Sequence, residues 1–278
     1  MKPFSILSKT PFFLLSLSLL FLSSCGEDNE QSDTPPVNAG VEGYQLRHSL
    51  NSDAGYEVEV YSPQSFFVGY NRLALRVRSG SGSALNDASV KLLPMMDMGT
   101  MMHTTPVEQP QYDADLEAYA GAATFIMPTT DMGRWTLKVV LEAPDLAFPD
   151  TLQTDITVEA AEPARLFSFT DTTGTGYFVA LRAPRSPELG LNPYSVMLYK
   201  RQSMMNFPPA TGLEVAIEPR MPSMGHGSPN NVMPSEIAPG HYKGEVNFTM
   251  SGLWRIHTDV LSSEGDTLAG DSWFDITL

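Results

Sequence analysis

The stretch "YAGAATFIMPTTDMGRWTLKVVL" (Tyr119–Leu141) has a counterpart later in the chain, "YKGEVNFTMSGLWRIHTDVL" (Tyr242–Leu261). Once a short insertion is allowed in the first, the tyrosines, glycines, phenylalanines, methionines and tryptophans fall in step. Copies of one sequence pattern fold as copies of one unit, so this repetition is read before anything else. Within each copy the residues alternate. Trp135, Leu137, Val139 and Leu141 take turns with Arg134, Thr136, Lys138 and Val140, and Trp254, Ile256, Thr258 and Val260 with Leu253, Arg255, His257 and Asp259. A period of two puts each set on one face of a β-strand, so both segments are half-buried strands with a tryptophan on the covered face.

The repetition extends upstream. "ASVKLLPMMDMG" (Ala88–Gly99) lies against "LEVAIEPRMPSMG" (Leu213–Gly225), each a short apolar strand running into a proline and a methionine-rich loop. Val58 with Val60, Leu73 with Leu75 and Val77, and Ile156 with Val158 add further short alternating runs, separated by turn clusters such as "RSGSGSALND" (Arg78–Asp87). No segment sustains a helical period. The chain is therefore predicted to be all-β, with two tandem immunoglobulin-like β-sandwich domains over residues 41–161 and 162–278 and "EAAEP" (Glu159–Pro163) as the joint. The cysteine pair of antibody domains is absent, because Cys25 is the one cysteine in the sequence, and stability must come from burial.

Residues 1–24 read as a signal peptide: Lys2 and Lys9 form a basic start and "FFLLSLSLLFL" (Phe12–Leu22) an apolar run too short to span a bilayer comfortably. The ending "LSSC" (Leu22–Cys25) resembles the lipobox of bacterial lipoproteins, which implies cleavage before Cys25 and its lipidation. Residues 25–40, polar, acidic and proline-bearing, are expected to form a flexible tether. The expected location is the bacterial cell envelope, with the protein lipid-anchored at the outer membrane, periplasmic or surface-exposed. Without the signal peptide the chain carries 15 basic against 32 acidic residues, about −17 formally. Nucleic acid is excluded as a partner on that balance, since phosphate backbones are bound by Lys and Arg, whereas an acidic surface gathers cations.

The candidate chemistry lies in the two methionine-rich loops. "MMDMGTMMH" (Met95–His103) holds Met96, Met98, Met101, Met102 and His103, and the second loop holds Met221, Met224, His226 and Met233. Thioether sulfur is a soft neutral ligand suited to Cu(I), imidazole suits copper in either oxidation state, and hard cations prefer carboxylates. Glycine-broken loops would let such residues converge on one ion. The bland alternative makes these methionines apolar lids on the open ends of the sandwiches. Met127 and Met250 share a strand face with Tyr119 and Phe125, and with Tyr242 and Phe248, and are expected in the core, in reserve as ligands. His257 is expected to be exposed, His48 stands alone near the tether, and His241 has alanine at its counterpart, Ala118.

"PRMPSMGHG" (Pro219–Gly227) followed by "PGHYKGEVNFTMSGLW" (Pro239–Trp254) is similar to the YtkA-like and FixH families of exported bacterial domains. The first copy, "PMMDMGTMMH" (Pro94–His103), departs from that pattern by lacking the second proline and placing its histidine later. The resemblance implies a β-sandwich, export and an association with copper handling or oxidase assembly. No nucleophile elbow, zinc-protease pair or phosphate loop is present, so no enzymatic activity is expected. The function read from the sequence is a membrane-anchored lipoprotein that binds Cu(I) for delivery, sensing or sequestration, with a copper-accepting envelope protein as partner. The alternative is a structural or protein- or glycan-binding module of the envelope that takes no metal.

Overall fold

The computed structural model describes residues 41–278; the expected signal peptide, Cys25 and the tether lie outside the described residues. The first half contains β1 (Gln45–Asn51), β2 (Glu57–Ser62), β3 (Gly69–Arg78), β4 (Ala84–Leu85), β5 (Ser89–Asp97), β6 (Met102–His103), β7 (Val107–Asp113), β8 (Ala118–Phe125), β9 (Arg134–Glu142) and β10 (Asp150–Ile156). The second contains β11 (Leu166–Thr170), β12 (Gly176–Ala183), β13 (Gly190–Lys200), β14 (Glu214–Met221), β15 (His226–Gly227), β16 (Val232–Ala238), β17 (His241–Phe248), β18 (Leu253–Leu261), β19 (Thr267–Ala269) and β20 (Trp273–Thr277). The described residues contain no helix.

Each half builds two antiparallel sheets that face each other. In the first, β1-β2-β3-β8-β7 opposes β10-β9-β5-β6; in the second, β11-β12-β13-β17-β16 opposes β20-β18-β14-β15, with β19 on the far end of β18. The strand orders match position for position, so the expected all-β tandem sandwich architecture is the one the chain adopts. Alternation drives the pairing of layers: Trp135, Leu137, Val139 and Leu141 of β9 are fully buried against Val58, Val60, Leu73 and Leu75 of the facing sheet. Trp254, Ile256 and Val260 do the same in the second half, where the buried Thr258 hydroxyl meets Tyr194 Oη at 2.7 Å. Burying side chains of this size contributes about 1.5–3 kcal/mol each before entropy is counted.

Small polar devices recur at matching places. Tyr119 Oη accepts the Ala88 amide at 2.8 Å, and Tyr242 Oη accepts the Leu213 amide at 3.2 Å, each tying a strand start to the opposite sheet. Buried Asn71 accepts the Phe67 amide and donates to the Phe67 and Gly69 carbonyls, while Asn192 makes the same three bonds with Glu188 and Gly190. Both clip a loop before a strand whose backbone groups would otherwise be buried without partners.

Strands β2 and β3 are buried on both faces, which the alternation alone did not require. Val41, Tyr61, Ala74 and Ala118 cover one part of the outer face. The other part packs on the second half, where Tyr70 and Ala122 meet Ala180, Met197 and Tyr199.

Candidate metal centre

Strand parity decides where each sulfur points. Val90, Leu92 and Met96 of β5 face the core, and β6 pairs with its end so that Met96 lies opposite His103 and Asp97 opposite Met102. Neighbours on a strand point to opposite faces. His103 accordingly turns inward and is 3% exposed, whereas Met102 turns outward and is 49% exposed, on the same surface as Met95, Asp97 and Lys138. Met102 and His103, expected to share an ion, are held on opposite faces. Met101 is exposed at the turn, where its carbonyl accepts the Met98 amide at 3.0 Å.

The second half repeats the arrangement. Met221 ends β14 with Val215 and Ile217 on its buried face, and lies opposite His226 of β15. Met221 is 3% exposed, so the expectation of a free loop sulfur is corrected: the apolar partners absent from its sequence neighbourhood come from the facing sheet. Met224 sits in the intervening turn, 60% exposed, and His226 is exposed beside it.

Met233 is not brought to this place. It lies on β16, and its Sδ accepts the Ile217 amide at 3.5 Å, four residues and about 13 Å of strand away from Met221. Gln109 does the same work in the first half, its side-chain amide bridging Leu92 N and O at 2.8 and 3.0 Å. The Met233 sulfur thus satisfies a backbone donor.

What gathers around His103 is a different set. Its Nδ1 lies 2.7 Å from Thr104 O, and a carbonyl accepts only, so Nδ1 carries the proton. In the neutral ring this leaves Nε2 with a lone pair, and Nε2 lies 3.1 Å from Met127 Sδ. A thioether has no proton to give. In that neutral tautomer two electron-pair donors face each other, an arrangement that a cation between them satisfies, whereas the doubly protonated ring satisfies it by donating Nε2–H to the sulfur. A metal at about 2.0 Å from nitrogen and 2.3 Å from sulfur with a tetrahedral angle separates such donors by about 3.5 Å, a few tenths of an ångström more than this pair.

Tryptophan organises both sites. Trp135 Nε1 donates to Met127 O at 3.0 Å, and Trp254 Nε1 donates to Met250 O at 2.9 Å, tying the backbone of each methionine to the indole. His103 meets the Trp135 ring edge-on at 5.4 Å and His226 meets Trp254 at 6.0 Å. The His226 Nδ1 lies 3.0 Å from Gly227 O, the same backbone bond that His103 makes. Two glycines leave room for sulfur. A Cβ on Gly133 would stand 2.9 Å from Met96 Sδ and 3.6 Å from Met98 Cγ, and one on Gly252 would stand 2.9 Å from Met221 Cε.

In the first half His103 and Met127 are in contact, with Met96 opposite His103 on the paired strand and Met98 near Gly133; the counterparts in the second half form a looser constellation, Met221 opposite His226 and Met250 tied to Trp254 through its carbonyl, beside the exposed Met224. Strand parity with Phe125 and Phe248 predicts Met127 and Met250 in the core. Both are only partly buried, packed against the core edge. Their coincidence in the two copies, just before the turn that leads into the tryptophan strand, was the signal for a shared role. A further methionine pair has no repeat counterpart to mark it in the sequence: Met204 and Met205 lie exposed on a loop of the second half, and the Met204 carbonyl accepts the Thr104 amide at 3.0 Å, next to His103. Among the described residues no three His, Cys, Asp or Glu side chains are grouped to hold a metal ion. The donors available here are thioether and imidazole.

The strands that carry the second constellation also carry the relationship to known proteins. Residues 173–259 match the YtkA-like family. The YtkA-like segment includes Met221, His226, Met250 and Trp254. Among solved structures, the chain is similar to FdeC, a broadly conserved Escherichia coli adhesin, at 16% identity and a TM-score of 0.27, covering 84% of this chain and 66% of that one. It is also similar to a conserved domain protein from Bacillus anthracis at 11% identity and a TM-score of 0.32, covering 87% and 93%. No curated protein matches the sequence.

Proposed function

We propose that the protein is a lipoprotein of the bacterial cell envelope, anchored through Cys25, that holds Cu(I) through paired imidazole and thioether donors for delivery, sensing or sequestration. The first sandwich acts as a second YtkA-like unit beside the YtkA-like segment, and a copper-accepting envelope protein is the partner. The observation that carries this reading is the approach of His103 Nε2 to Met127 Sδ with Nδ1 already committed to Thr104. Soft, neutral donors of this kind favour Cu(I) over hard cations. The acidic balance, 15 basic against 32 acidic residues without the signal peptide, favours accumulation of a cation near the surface.

The test is a competition titration of the full chain with Cu(I) against a chromogenic Cu(I) chelator. Uptake that falls at least tenfold in affinity on His103→Ala and on Met127→Leu, and stays unchanged on Met102→Leu, supports the reading. Failure of the wild-type protein to compete at any chelator excess overturns it.

A further inference from the structure

The junction between the sandwiches holds a concentration of positive charge that the rest of this acidic chain does not prepare for. Arg182 lies 5.0 Å and Arg185 6.0 Å from the centre of the Tyr70 ring, and both line, with Arg165, Gln64 and Phe67, a cavity of about 70 Å³. Arg72 stands close by on β3, its guanidinium 5.5 Å from the Tyr44 ring centre. The four ion pairs among the described residues involve Arg78, Lys91, Arg220 and Arg255, and none of the junction arginines. Among the described residues, the carboxylate bonded to the Tyr70 hydroxyl is that of Glu108. Its Oε2 accepts the Tyr70 hydroxyl at 3.0 Å, and its Oε1 is buried without a partner, as is Arg72 Nε.

Guanidinium groups brought together without counter-charge repel one another and lose hydration. Desolvation, with repulsion from Arg72 and Arg182 behind it, holds the Arg185 ionisation below its ordinary range, and desolvation does the same to Arg165. Arg182 also spends a donor on a neutral partner, His241 Nδ1 at 3.1 Å. Among the described residues no ion pair offsets these arginines, and the exposed Arg185 leaves the cluster open to an anion from solvent. Planar guanidinium forks match the oxygen geometry of phosphate and bind it in pairs of parallel hydrogen bonds. A cavity of this size admits a single phosphate-sized group.

We propose that this junction is an anion site, taking one phosphate-type oxyanion between Arg165, Arg182 and Arg185 with Arg72 at its edge, and so clamping the two sandwiches together. The oxyanion comes either from free phosphate or from a lipid headgroup. The experiment is isothermal titration of the full chain, at constant ionic strength, with inorganic phosphate and separately with dihexanoylphosphatidylglycerol below its micelle concentration. Phosphate binding that is lost by tenfold or more on Arg185→Gln, weakened to a smaller degree on Arg185→Lys, which keeps the charge and loses the fork, and kept on the remote Arg134→Gln, supports the site with a free source. Binding of the lipid alone, with the same variant pattern, supports it with a headgroup source. Binding of neither by the folded wild-type protein overturns the proposal, as does full retention of binding in Arg185→Gln. A phosphate-dependent rise in Tm of the wild-type chain, absent in Arg185→Gln, keeps the comparison valid if that variant is less stable.

Discussion

His103 and His226 hold the same place in the two sandwiches, each opposite a buried methionine and edge-on to a tryptophan, yet His103 is sealed from solvent and His226 is open to it. The difference lies in the residues C-terminal to each histidine. After His103 the chain enters "TTP", where Thr104 donates to Met204 O from the second half and Thr105 hydrogen-bonds Thr124 O; after His226 it enters the exposed "GSPNN". One copy is a closed cradle and the other an open one. Diethylpyrocarbonate should therefore modify His226 within minutes and leave His103 at least tenfold slower, as read by peptide mass spectrometry. Equal rates would contradict the two burial states.

Gly133 is required where it stands because Met96 Sδ occupies the space a side chain would need. Met96 is fully buried and has little room to retreat. Gly133→Ala is expected to destabilise the protein by about 1–3 kcal/mol through overpacking and to weaken Cu(I) uptake by displacing the sulfur. Chemical denaturation and the chelator titration measure the two effects separately.

Met233 and Gln109 perform one task with different chemistry, each accepting a backbone amide of the facing edge. Met233→Ala should cost about 1 kcal/mol by leaving the Ile217 amide without its acceptor. Met233→Gln should recover most of it, and neither should change Cu(I) affinity. A loss of copper binding in both variants would return Met233 to the ligand set.

His241 supplies the pH dependence. Burial, then the charges of Arg182 and Lys243, pull its pKa down to about 4 from the ordinary 6.5. Arg182 donates to Nδ1, so Nε2 carries the hydrogen and donates to Ser195 Oγ at 2.7 Å; the pair runs the wrong way for His241 to take a proton from Ser195. The unfolded chain binds this proton between pH 6.5 and 4 and the folded chain does not. The stability His241 contributes is therefore complete above pH 6.5 and lost as the pH falls towards 4. His241→Gln should flatten that part of the stability profile, measured by urea denaturation at pH 7, 5.5 and 4.5.

Much of the fold was legible because the strands are amphipathic: the alternation around Trp135 and Trp254 specifies both register and burial, and the repetition specifies the second sandwich from the first. The double burial of β2 and β3 was not legible, since it depends on which outer face the other half covers. At the site, the residue types were legible and their grouping was not. Met96 and Met221 look like loop residues when read with their glycine-rich followers, but parity with Leu92 and Ile217 places them inside. Met102 and His103 are adjacent in sequence and opposed in space for the same reason. The pairing of His103 with Met127 spans two sheets, and local spacing carries no record of it.

Copper binding as proposed requires one imidazole nitrogen and at least one thioether sulfur to close on the same ion. Copper K-edge X-ray absorption of the Cu(I)-loaded full chain reads those donors at the metal itself. Mixed sulfur and nitrogen scatterers are expected, with the nitrogen contribution reduced by His103→Ala and the sulfur contribution reduced by Met127→Leu. A spectrum made only of oxygen or nitrogen scatterers, or one unchanged by both substitutions, would contradict the paired-donor site.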